Sequence, residues 1–249
     1  MSTSIKVLSI NIHKGFSYFN RRFVLPELRE ALRSTETEIV FLQEVLGEHT
    51  DWAEKHKLHW PGVSQYEYLA DSLWPEMAYG KNAVYPQGHH GNALLSKQAI
   101  AQWHNEDISL SGIEKRGVLY AKIDVGEPAA PLHLLCTHLS LREGHRQQQL
   151  HKILKILNAI PPDEAVVLAG DFNDWRLKVH QMCCANGLIE VHEGSQGKPA
   201  KTFPALLPVL RLDRIYVRNL KVKHAEVLKG RLWSHLSDHR PLYAELELM

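Results

Sequence analysis

Short apolar runs, separated by polar segments rich in turn-forming residues, recur along the whole chain. Runs of roughly four to eight apolar residues between such turns are typical of buried β-strands. This pattern predicts strands at residues 5–12, 38–45, 92–96, 117–125, 132–139, 165–173, 212–219, 222–228 and 241–248.

Two segments have helical spacing instead, residues 21–34 and 142–160, and the second ends at Pro161. The apolar residues that share one face of the second segment are Leu150, Ile153, Leu154 and Leu157. The Trp- and Tyr-rich region from about 48 to 75 is also predicted to be helical. Helices alternate with strands at first and strands dominate the end of the chain. We therefore expect an α/β or α+β fold with large sheets flanked by helices.

The composition is that of a soluble globular protein, because 44% of the 249 residues are hydrophobic and 23% are charged. This length suits a single α/β domain spanning residues 1–249. The formal net charge is +1, so the chain as a whole does not strongly attract nucleic acid or an anionic membrane. A local basic patch or a bound metal ion could still supply the positive charge that a nuclease needs.

The three cysteines, Cys136, Cys183 and Cys184, make a poor disulfide framework because their number is odd and two are adjacent. We expect reduced thiols, with Cys136 in the core and the adjacent pair packed inside a helix. The first residues predict a strand and not a secretory leader, and no apolar run approaches the length of a membrane span. A cytoplasmic location is therefore expected.

Side chains that bind metal or phosphate stand at the ends of several predicted strands. They are Asn11, Glu44, Asn92, His138, Asp171, Asn173, Asp213, Asp238 and His239. Each one alone has an ordinary explanation, as a turn residue, a cap, a surface charge or a packed histidine. Strands that pack side by side bring their ends to one edge, so residues far apart in sequence can meet there. Their joint occurrence therefore indicates one shared polar site.

These residue types suit the hydrolysis of a phosphate ester with a divalent cation. Mg²⁺ prefers oxygen ligands, which Glu44 and Asp238 offer as carboxylates and Asn11 as an amide, and Mn²⁺ could substitute for it. The reaction also needs a positioned water and help for the leaving oxygen. His239 with a carboxylate partner can orient or deprotonate water, and His138 can act as an acid at the leaving group.

In this order the motifs resemble the endonuclease/exonuclease/phosphatase superfamily, which includes DNase I-like nucleases, abasic-site endonucleases, neutral sphingomyelinases and inositol polyphosphate 5-phosphatases. The resemblance covers nearly the whole chain. Its motifs are LSINIHKG (8–15), FLQEV (41–45), GNALLS (91–96), THL (137–139), LAGDFND (168–174), LDRIYV (212–217) and SDHRPL (237–242). It implies a four-layer α/β/β/α sandwich of two packed sheets, with the site at one edge, and a monomer.

The resemblance also implies a role for each residue of the metal and histidine centre. Asn11 and Glu44 would hold the metal, and Asp238 would complete or neighbour its shell. His239 would be the central catalytic histidine, paired with Asp213.

Further roles concern the attacking water and the phosphate. Asp171 would position or activate the water, and His138 would be a second catalytic histidine. Asn173 would bind the scissile phosphate, whereas Asn92 and Arg116 would contact phosphate or support the site. The general base differs among the mechanisms proposed for the family, so the directions of proton transfer stay open.

The motifs specify phosphoester hydrolysis but not the ester. An apolar loop before Asp213 contains Phe203, Leu206, Leu207, Val209 and Leu210. Core packing is its expected role, and an exposed lip beside the site is the alternative. A lip would favour a phosphodiesterase acting on a phospholipid or another small phosphodiester, with peripheral membrane contact, whereas a basic groove would favour a nuclease. A catalytically inert binding module is the third possibility, and the complete set of site residues argues against it.

Overall fold

The computed structural model describes residues 4–110, 114–125 and 131–249. The strands in these ranges are β1 (Ser4–Asn11), β2 (Ile39–His49), β3 (Glu76–Tyr85), β4 (Gly88–Ser96), β5 (Ile100–Asp107), β6 (Gly117–Ile123), β7 (Leu132–His138), β8 (Ala165–Asp171), β9 (Ile189–Glu190), β10 (Asp213–Arg218), β11 (Leu220–Val227) and β12 (Leu242–Leu248). The helices are α1 (Leu25–Arg33), α2 (Thr50–Lys55), α3 (Gln65–Ala70), α4 (Glu143–Ala159), α5 (Lys178–Ala185), α6 (Glu193–Gln196) and α7 (Trp233–Leu236).

These strands form two mixed sheets of six strands each. The order is β11-β12-β1-β2-β4-β3 in the first sheet and β5-β6-β7-β8-β10-β9 in the second. The pairs β1–β2 and β7–β8 are parallel, and the other neighbouring pairs are antiparallel. Each sheet therefore has one central parallel pair whose carboxyl ends lie at the same edge.

Alternation along the strands sends one set of side chains between the sheets and the other set toward a helical layer. In β1, Ile5 and Val7 join the core between the sheets, whereas Leu8 and Ile10 pack with apolar residues of α1, α3 and α7. The outer face of the second sheet is covered in the same way by α4 and α5. The result is the four-layer α/β/β/α sandwich that the resemblance implies.

The two predicted amphipathic helices are present with shifted ends. The first starts only at Leu25, with Pro26 in its opening turn, because proline is tolerated there but not in a helix interior. The second, α4, buries its predicted apolar face and ends before Pro161. Neither α4 nor any other helix in the described ranges is both long and apolar enough to cross a membrane.

The region from about 48 to 75 does not form the helical segment predicted for it. Strand β2 continues to His49, and only the short helices α2 and α3 follow. A capping box between Ser64 and Glu67 starts α3. The strands β3 and β5 were not predicted, because both are edge strands with many exposed side chains and therefore lack a continuous apolar run.

The adjacent cysteines differ from each other. Cys183 is buried inside α5 as expected, but Cys184 is exposed, which corrects the prediction for the pair. Consecutive residues of an α-helix point about 100° apart, so only one of two neighbours can face the sheet. Cys136 is buried in the core between the sheets, as predicted.

Candidate active site

Strand pairing brings three of the predicted site residues to one edge. Antiparallel pairing sets Asp213 opposite Asp171, and parallel pairing sets His138 opposite the same residue. Each of them lies two residues from a member of the core between the sheets. Those core members are Ala169, Cys136 and Ile215. Alternation therefore directs all three polar side chains into the gap between the sheets, where the apolar core ends.

Glu44 reaches this edge through an irregularity in β2. The pairing of β2 with β4 shifts register between Leu42 and Val45, and Glu44 has a left-handed φ of 56°. A β-bulge of this kind re-aims side chains that regular alternation would send elsewhere. In a regular strand Glu44 would follow Leu42 onto the helix-covered face. The bulge turns it toward Asn11, whose Nδ2 lies 3.2 Å from Glu44 Oε1.

Asp171 depends on the glycine that precedes it. Gly170 has a φ of +147°, and a Cβ at this position would lie 1.9 Å from the backbone oxygen of Thr137. A larger residue would push β8 away from β7. Glycine therefore sets the close spacing that places His138 beside Asp171.

His239 is held between two carboxylates. Its Nδ1 lies 2.8 Å from Asp213 Oδ2, and its Nε2 lies 3.8 Å from Asp171 Oδ2. Thr202 Oγ1 donates a second hydrogen bond to Asp213 Oδ2 and so orients that carboxylate. Burial lowers the pKa of His239, but the charges of Asp213 and Asp171 outweigh burial and raise the pKa to about 10. In this arrangement His239 is protonated at neutral pH.

Asp171 is the centre of a histidine-carboxylate network that also contains Asp213, His138, His239 and Asn11. Its Oδ2 lies 3.5 Å from His138 Nε2 and accepts a hydrogen bond from Asn11 Nδ2 at 3.2 Å. Its Oδ1 accepts a hydrogen bond from the backbone N–H of Asn173 at 2.9 Å. Burial raises the pKa of Asp171 to about 6, because the opposing charge of His239 offsets burial only in part. Asp171 is mostly ionised at neutral pH and remains basic enough to accept a proton.

His138 is neutral in this environment. Burial, followed by the charge of Arg116, holds the pKa of His138 well below its usual range. A neutral imidazole can still donate a hydrogen bond to Asp171. Of the two histidines, His239 is the one that is positively charged at neutral pH.

Glu44 and Asp238 are the carboxylates that suit a hard cation. Burial alone would raise the pKa of Glu44, but the charge of the nearby Lys14 and the hydrogen bond from Asn11, beside the His138 ring, hold it below its usual range. Lys14 Nζ lies 3.8 Å from Glu44 Oε2. Asp238 is partly exposed, and its Oδ1 lies 4.0 Å from His239 Nε2. Both oxygen donors border the same histidine-carboxylate network.

A second grouping, Asp171, Asp213 and His239, has its donor atoms within 4.8 Å of one another. It suits Mg²⁺ less well, because one of its three donors is an imidazole nitrogen and Mg²⁺ prefers oxygen ligands. Mg²⁺ takes carboxylate oxygens and keeps several waters, so the partly exposed Glu44 and Asp238 fit better. Asn11 turns its amide nitrogen to Glu44 and Asp171, while its Oδ1 accepts the backbone N–H of His13 at 3.0 Å. Asn11 therefore bridges the two carboxylates in this structure.

The predicted substrate-binding residues lie around this network. Asn173 Nδ2 donates to the backbone oxygen of Leu139 at 3.0 Å, and Arg116 Nε donates to the same oxygen at 3.3 Å. Asn92 is buried, and its Nδ2 donates to two backbone oxygens of the second sheet at 3.1 and 3.2 Å. Of the two roles implied for Asn92, this geometry matches support of the site, because it ties the sheets together.

Two supporting residues received no role from the sequence, although Ser237 is part of the SDHRPL motif. Ser237 Oγ donates to the backbone oxygen of Asn11 at 2.6 Å and accepts the backbone N–H of His239 at 3.2 Å. Thr202 orients Asp213 from a loop eleven residues away. Serine and threonine are common in turns and caps, so neither stands out before the fold is known.

The apolar loop 203–210 is attached to this site. The Ala205 N–H donates to the backbone oxygen of Asp238 at 2.7 Å, and the Phe203 ring lies 5.0 Å from the His239 ring, centroid to centroid. At its tip the exposed side chains are Leu206 (54%), Leu207 (74%), Val209 (53%) and Leu210 (37%). The expectation of core packing is therefore wrong for the tip, and the alternative of an exposed lip is correct.

Comparison with a family profile agrees with the strand order, the histidine-carboxylate network and the motifs. The profile of the endonuclease/exonuclease/phosphatase family matches residues 8–239, from β1 to His239. The chain belongs to this family. Its members are hydrolases that act on phosphoester bonds and generally depend on a divalent metal ion.

Similar proteins span nearly the whole chain. YbhP of Escherichia coli strain K12 is 53% identical over 249 residues, which cover 98% of this chain and 97% of YbhP. The endonuclease/exonuclease/phosphatase from Beutenbergia cavernae superposes with a TM-score of 0.78 at 18% identity, covering 98% of this chain and 72% of that one.

Two further similar structures have a bound ligand or a named activity. D. rerio TDP2 complexed with a single-strand DNA product has a TM-score of 0.67 at 19% identity, over 98% of this chain and 99% of that one. A mannosyl-6-phosphatase of Bacteroides thetaiotaomicron has a TM-score of 0.71 at 17% identity, over 97% and 99%. At these identities the structures show the shared DNase I-like fold alone.

Proposed function

We propose that this protein is a Mg²⁺-dependent phosphodiesterase that acts on a phospholipid-like or other small phosphodiester. The observation that carries the proposal is the exposed apolar loop 203–210, which bonds directly to the backbone of Asp238 and contacts the ring of His239. Family membership indicates phosphoester hydrolysis, and the exposed apolar loop is the reason for proposing a lipid-like substrate.

Asp171 is the proposed base for the attacking water. Its pKa of about 6 makes it ionised at neutral pH and still able to accept a proton. Asn11 and Asn173 each hold one of its oxygens, so the direction of its lone pairs is fixed. A water placed between Asp171 and the phosphorus would lose its proton to this carboxylate as it attacks.

His239 is the proposed source of positive charge and of the proton for the leaving oxygen. Asp213 on Nδ1 keeps the ring cationic and fixes its orientation, which leaves Nε2 facing the gap beside Asp171. Fixed charge aimed at developing negative charge is commonly the largest contribution to catalysis. The neutral ring of His138 would donate a hydrogen bond in the same gap.

Glu44 and Asp238 would hold Mg²⁺, with Asn11 keeping Glu44 in position. When bound, the ion would neutralise charge on the substrate phosphate. Asn173 and Arg116 would contact the phosphate from the side of the second sheet, and Asn92 would support the site from within.

The lip would bind the apolar part of the substrate. Fully burying one leucine or valine side chain stabilises a complex by roughly 1.5–3 kcal/mol, and four such side chains stand at the tip. The Ala205 N–H donates to the backbone oxygen of Asp238, and Arg240 Nε donates to the backbone oxygen of Ala205, so these side chains are held next to the reacting groups. An acyl chain or the surface of a lipid aggregate would cover them.

The test is hydrolysis by purified protein with Mg²⁺ or Mn²⁺, with EDTA and His239→Ala as controls. The panel contains phospholipid micelles, bis-p-nitrophenyl phosphate, mannose 6-phosphate, plasmid DNA, an abasic-site duplex and RNA. We expect metal-dependent turnover that is highest on the phospholipid and is lost in the variant.

Each other outcome would indicate a different function. A preference for DNA or RNA would replace it with a nuclease, as the fold shared with the DNA-bound TDP2 allows. A preference for mannose 6-phosphate would make the protein a monoesterase. No turnover on any substrate by folded protein would favour an inert binding module.

A further inference from the structure

A second cluster of metal-binding side chains lies outside the candidate active site. His180 and Cys184 are on α5, four residues apart, so they share one face of the helix. Glu193 begins α6 and faces them across the connecting segment. One donor atom from each of the three residues falls within 4.8 Å of the other two.

The separations in this cluster match those around a tetrahedral ion. Bonds of about 2.0 Å to nitrogen or oxygen and about 2.3 Å to sulfur put nitrogen and sulfur about 3.5 Å apart, and nitrogen and oxygen about 3.3 Å apart. Cys184 Sγ lies 3.8 Å from His180 Nε2, and Glu193 Oε1 lies 3.4 Å from the same nitrogen. Cys184 Sγ lies equally far, 3.8 Å, from His180 Nδ1, so the Cys184 side chain has to rotate toward Nε2 before the three donors share one ion.

The histidine is already oriented for this role. His180 is buried, and its Nδ1 lies 3.2 Å from the hydroxyl of Tyr216 on β10. Metal-binding histidines are commonly fixed in this way, with one ring nitrogen hydrogen-bonded to the protein and the other free for the metal. The backbone N–H of His180 is held as well, by Asp174 Oδ2 at 2.9 Å. The ring is therefore rigid before any ion arrives.

The other two donors are accessible. Cys184 is exposed, and the Glu193 side chain is 41% exposed, so an ion can enter from solvent and keep a water as its fourth ligand. Tyr216 belongs to the apolar cluster between the second sheet and its helices, on the face opposite the core between the sheets. The cluster thus lies on the outer side of this sheet, away from the edge that carries His239.

We propose that His180, Cys184 and Glu193 form a second metal site, which takes a thiolate-binding divalent ion such as Zn²⁺ and joins α5 to α6. A set of one sulfur, one imidazole nitrogen and one carboxylate oxygen favours Zn²⁺ over Mg²⁺, which prefers oxygen alone. The ion closes the segment between residues 180 and 193. Its effect is on the stability of this part of the fold, because the three donors do not contact the phosphoesterase residues.

The test uses Co²⁺ as a spectroscopic probe of the full-length chain after removal of metal by a chelator. A thiolate bound to Co²⁺ gives a charge-transfer band in the near ultraviolet, and Cys136 and Cys183 are buried, so this band reports Cys184. We expect the band to saturate at one equivalent and to disappear when Zn²⁺ is added. Cys184→Ser should abolish it, and Glu193→Gln should weaken the affinity by about tenfold.

The matched control is Glu44→Gln, which alters the candidate Mg²⁺ site and should keep the band. Thermal unfolding gives a second readout. At a free Zn²⁺ concentration of about 100 times Kd, the melting temperature should rise by roughly 5–10 °C in the wild type and in Glu44→Gln. It should not rise in Cys184→Ser.

The proposal is overturned if folded wild-type protein gives no band, or if the band persists in Cys184→Ser. It is also overturned if Zn²⁺ stabilises Cys184→Ser as much as the wild type. Because Cys184 is exposed, its serine variant is expected to fold, and an unchanged far-ultraviolet circular dichroism spectrum checks this.

Discussion

His239 Nδ1 lies 2.8 Å from Asp213 Oδ2, a contact that joins the segment before the last strand to the first residue of β10. Thr202 Oγ1 holds this carboxylate in place, so the ring cannot turn without breaking its buried hydrogen bond to a fixed partner. The opposite nitrogen of the ring is left facing Asp171 at 3.8 Å. The contact therefore sets both the charge of His239 and the direction of its remaining proton.

Replacing Asp213 with Asn should lower kcat by about 10²- to 10⁴-fold with little change in KM, because the ring loses the partner that fixes its charge and orientation. Steady-state kinetics on bis-p-nitrophenyl phosphate measures the effect. Asp163→Asn, which changes an exposed carboxylate in the turn before β8, at the end of the strand opposite Asp171, is the matched control. A kcat within threefold of the wild type in Asp213→Asn would contradict the role given to this pair.

Replacing Glu44 with Gln should weaken Mg²⁺ binding by at least about tenfold, because a hard cation loses an ionised oxygen ligand. Calorimetric titration of Mg²⁺ and the Mg²⁺ dependence of turnover both report it. Glu48→Gln is the control, since Glu48 is exposed on the same strand and follows the bulge. Equal Mg²⁺ affinities in the two variants would remove Glu44 from the metal site.

The charge of His239 predicts how stability depends on pH in the presence of EDTA. The unfolded-state pKa of histidine is about 6.5. Burial lowers the folded-state pKa, but Asp213 and Asp171 raise it to about 10. A raised pKa stabilises the fold fully below the unfolded value and progressively less as pH rises to the folded value. The free energy of unfolding should therefore fall between pH 6.5 and 10.

The His239→Asn variant should lose most of this dependence. Denaturant unfolding at several pH values measures it, and the ¹H NMR signal of the His239 ring should show no titration between pH 5 and 8. A ring that titrates near pH 6.5 in the folded protein would contradict the charge assigned to His239.

Replacing Leu206 and Leu207 together with Ser should lower kcat/KM on phospholipid micelles by about tenfold or more, because two exposed apolar contacts to the lipid are lost. Turnover of bis-p-nitrophenyl phosphate, which has no acyl chain, should stay within twofold. Leu58→Ser changes a leucine that is 85% exposed elsewhere and serves as control. Equal losses on both substrates would mean that the loop acts through the site and not through lipid contact.

The sequence predicted the central strands better than the edges of the sheets. Asp171 and His138 end apolar strands and Asp213 begins one, so their alternation can be read directly, and the structure places all three at one edge. Strands β3 and β5 escaped prediction because edge strands bury few side chains and leave no apolar run. Their existence depends on pairing with β4 and β6, which composition alone does not reveal.

Two features of the site, like the edge strands, depend on contacts that the sequence does not reveal. The bulge that turns Glu44 toward Asn11 arises from a shift in pairing between β2 and β4, and no residue type marks it in the sequence. The loop 203–210 is as apolar as many core segments, and core packing was the natural prediction. Ala205 instead bonds to the backbone oxygen of Asp238 and to the Arg240 side chain, and these contacts fix the loop on the rim of the site.

The most direct test of this account is the rate of Mg²⁺-dependent hydrolysis of bis-p-nitrophenyl phosphate by the wild type and by His239→Ala. Turnover by the wild type that stops with EDTA and falls at least about 10²-fold in the variant would agree with the network of His239, Asp213 and Asp171 as the reaction centre. Turnover that survives in a folded His239→Ala variant would contradict it.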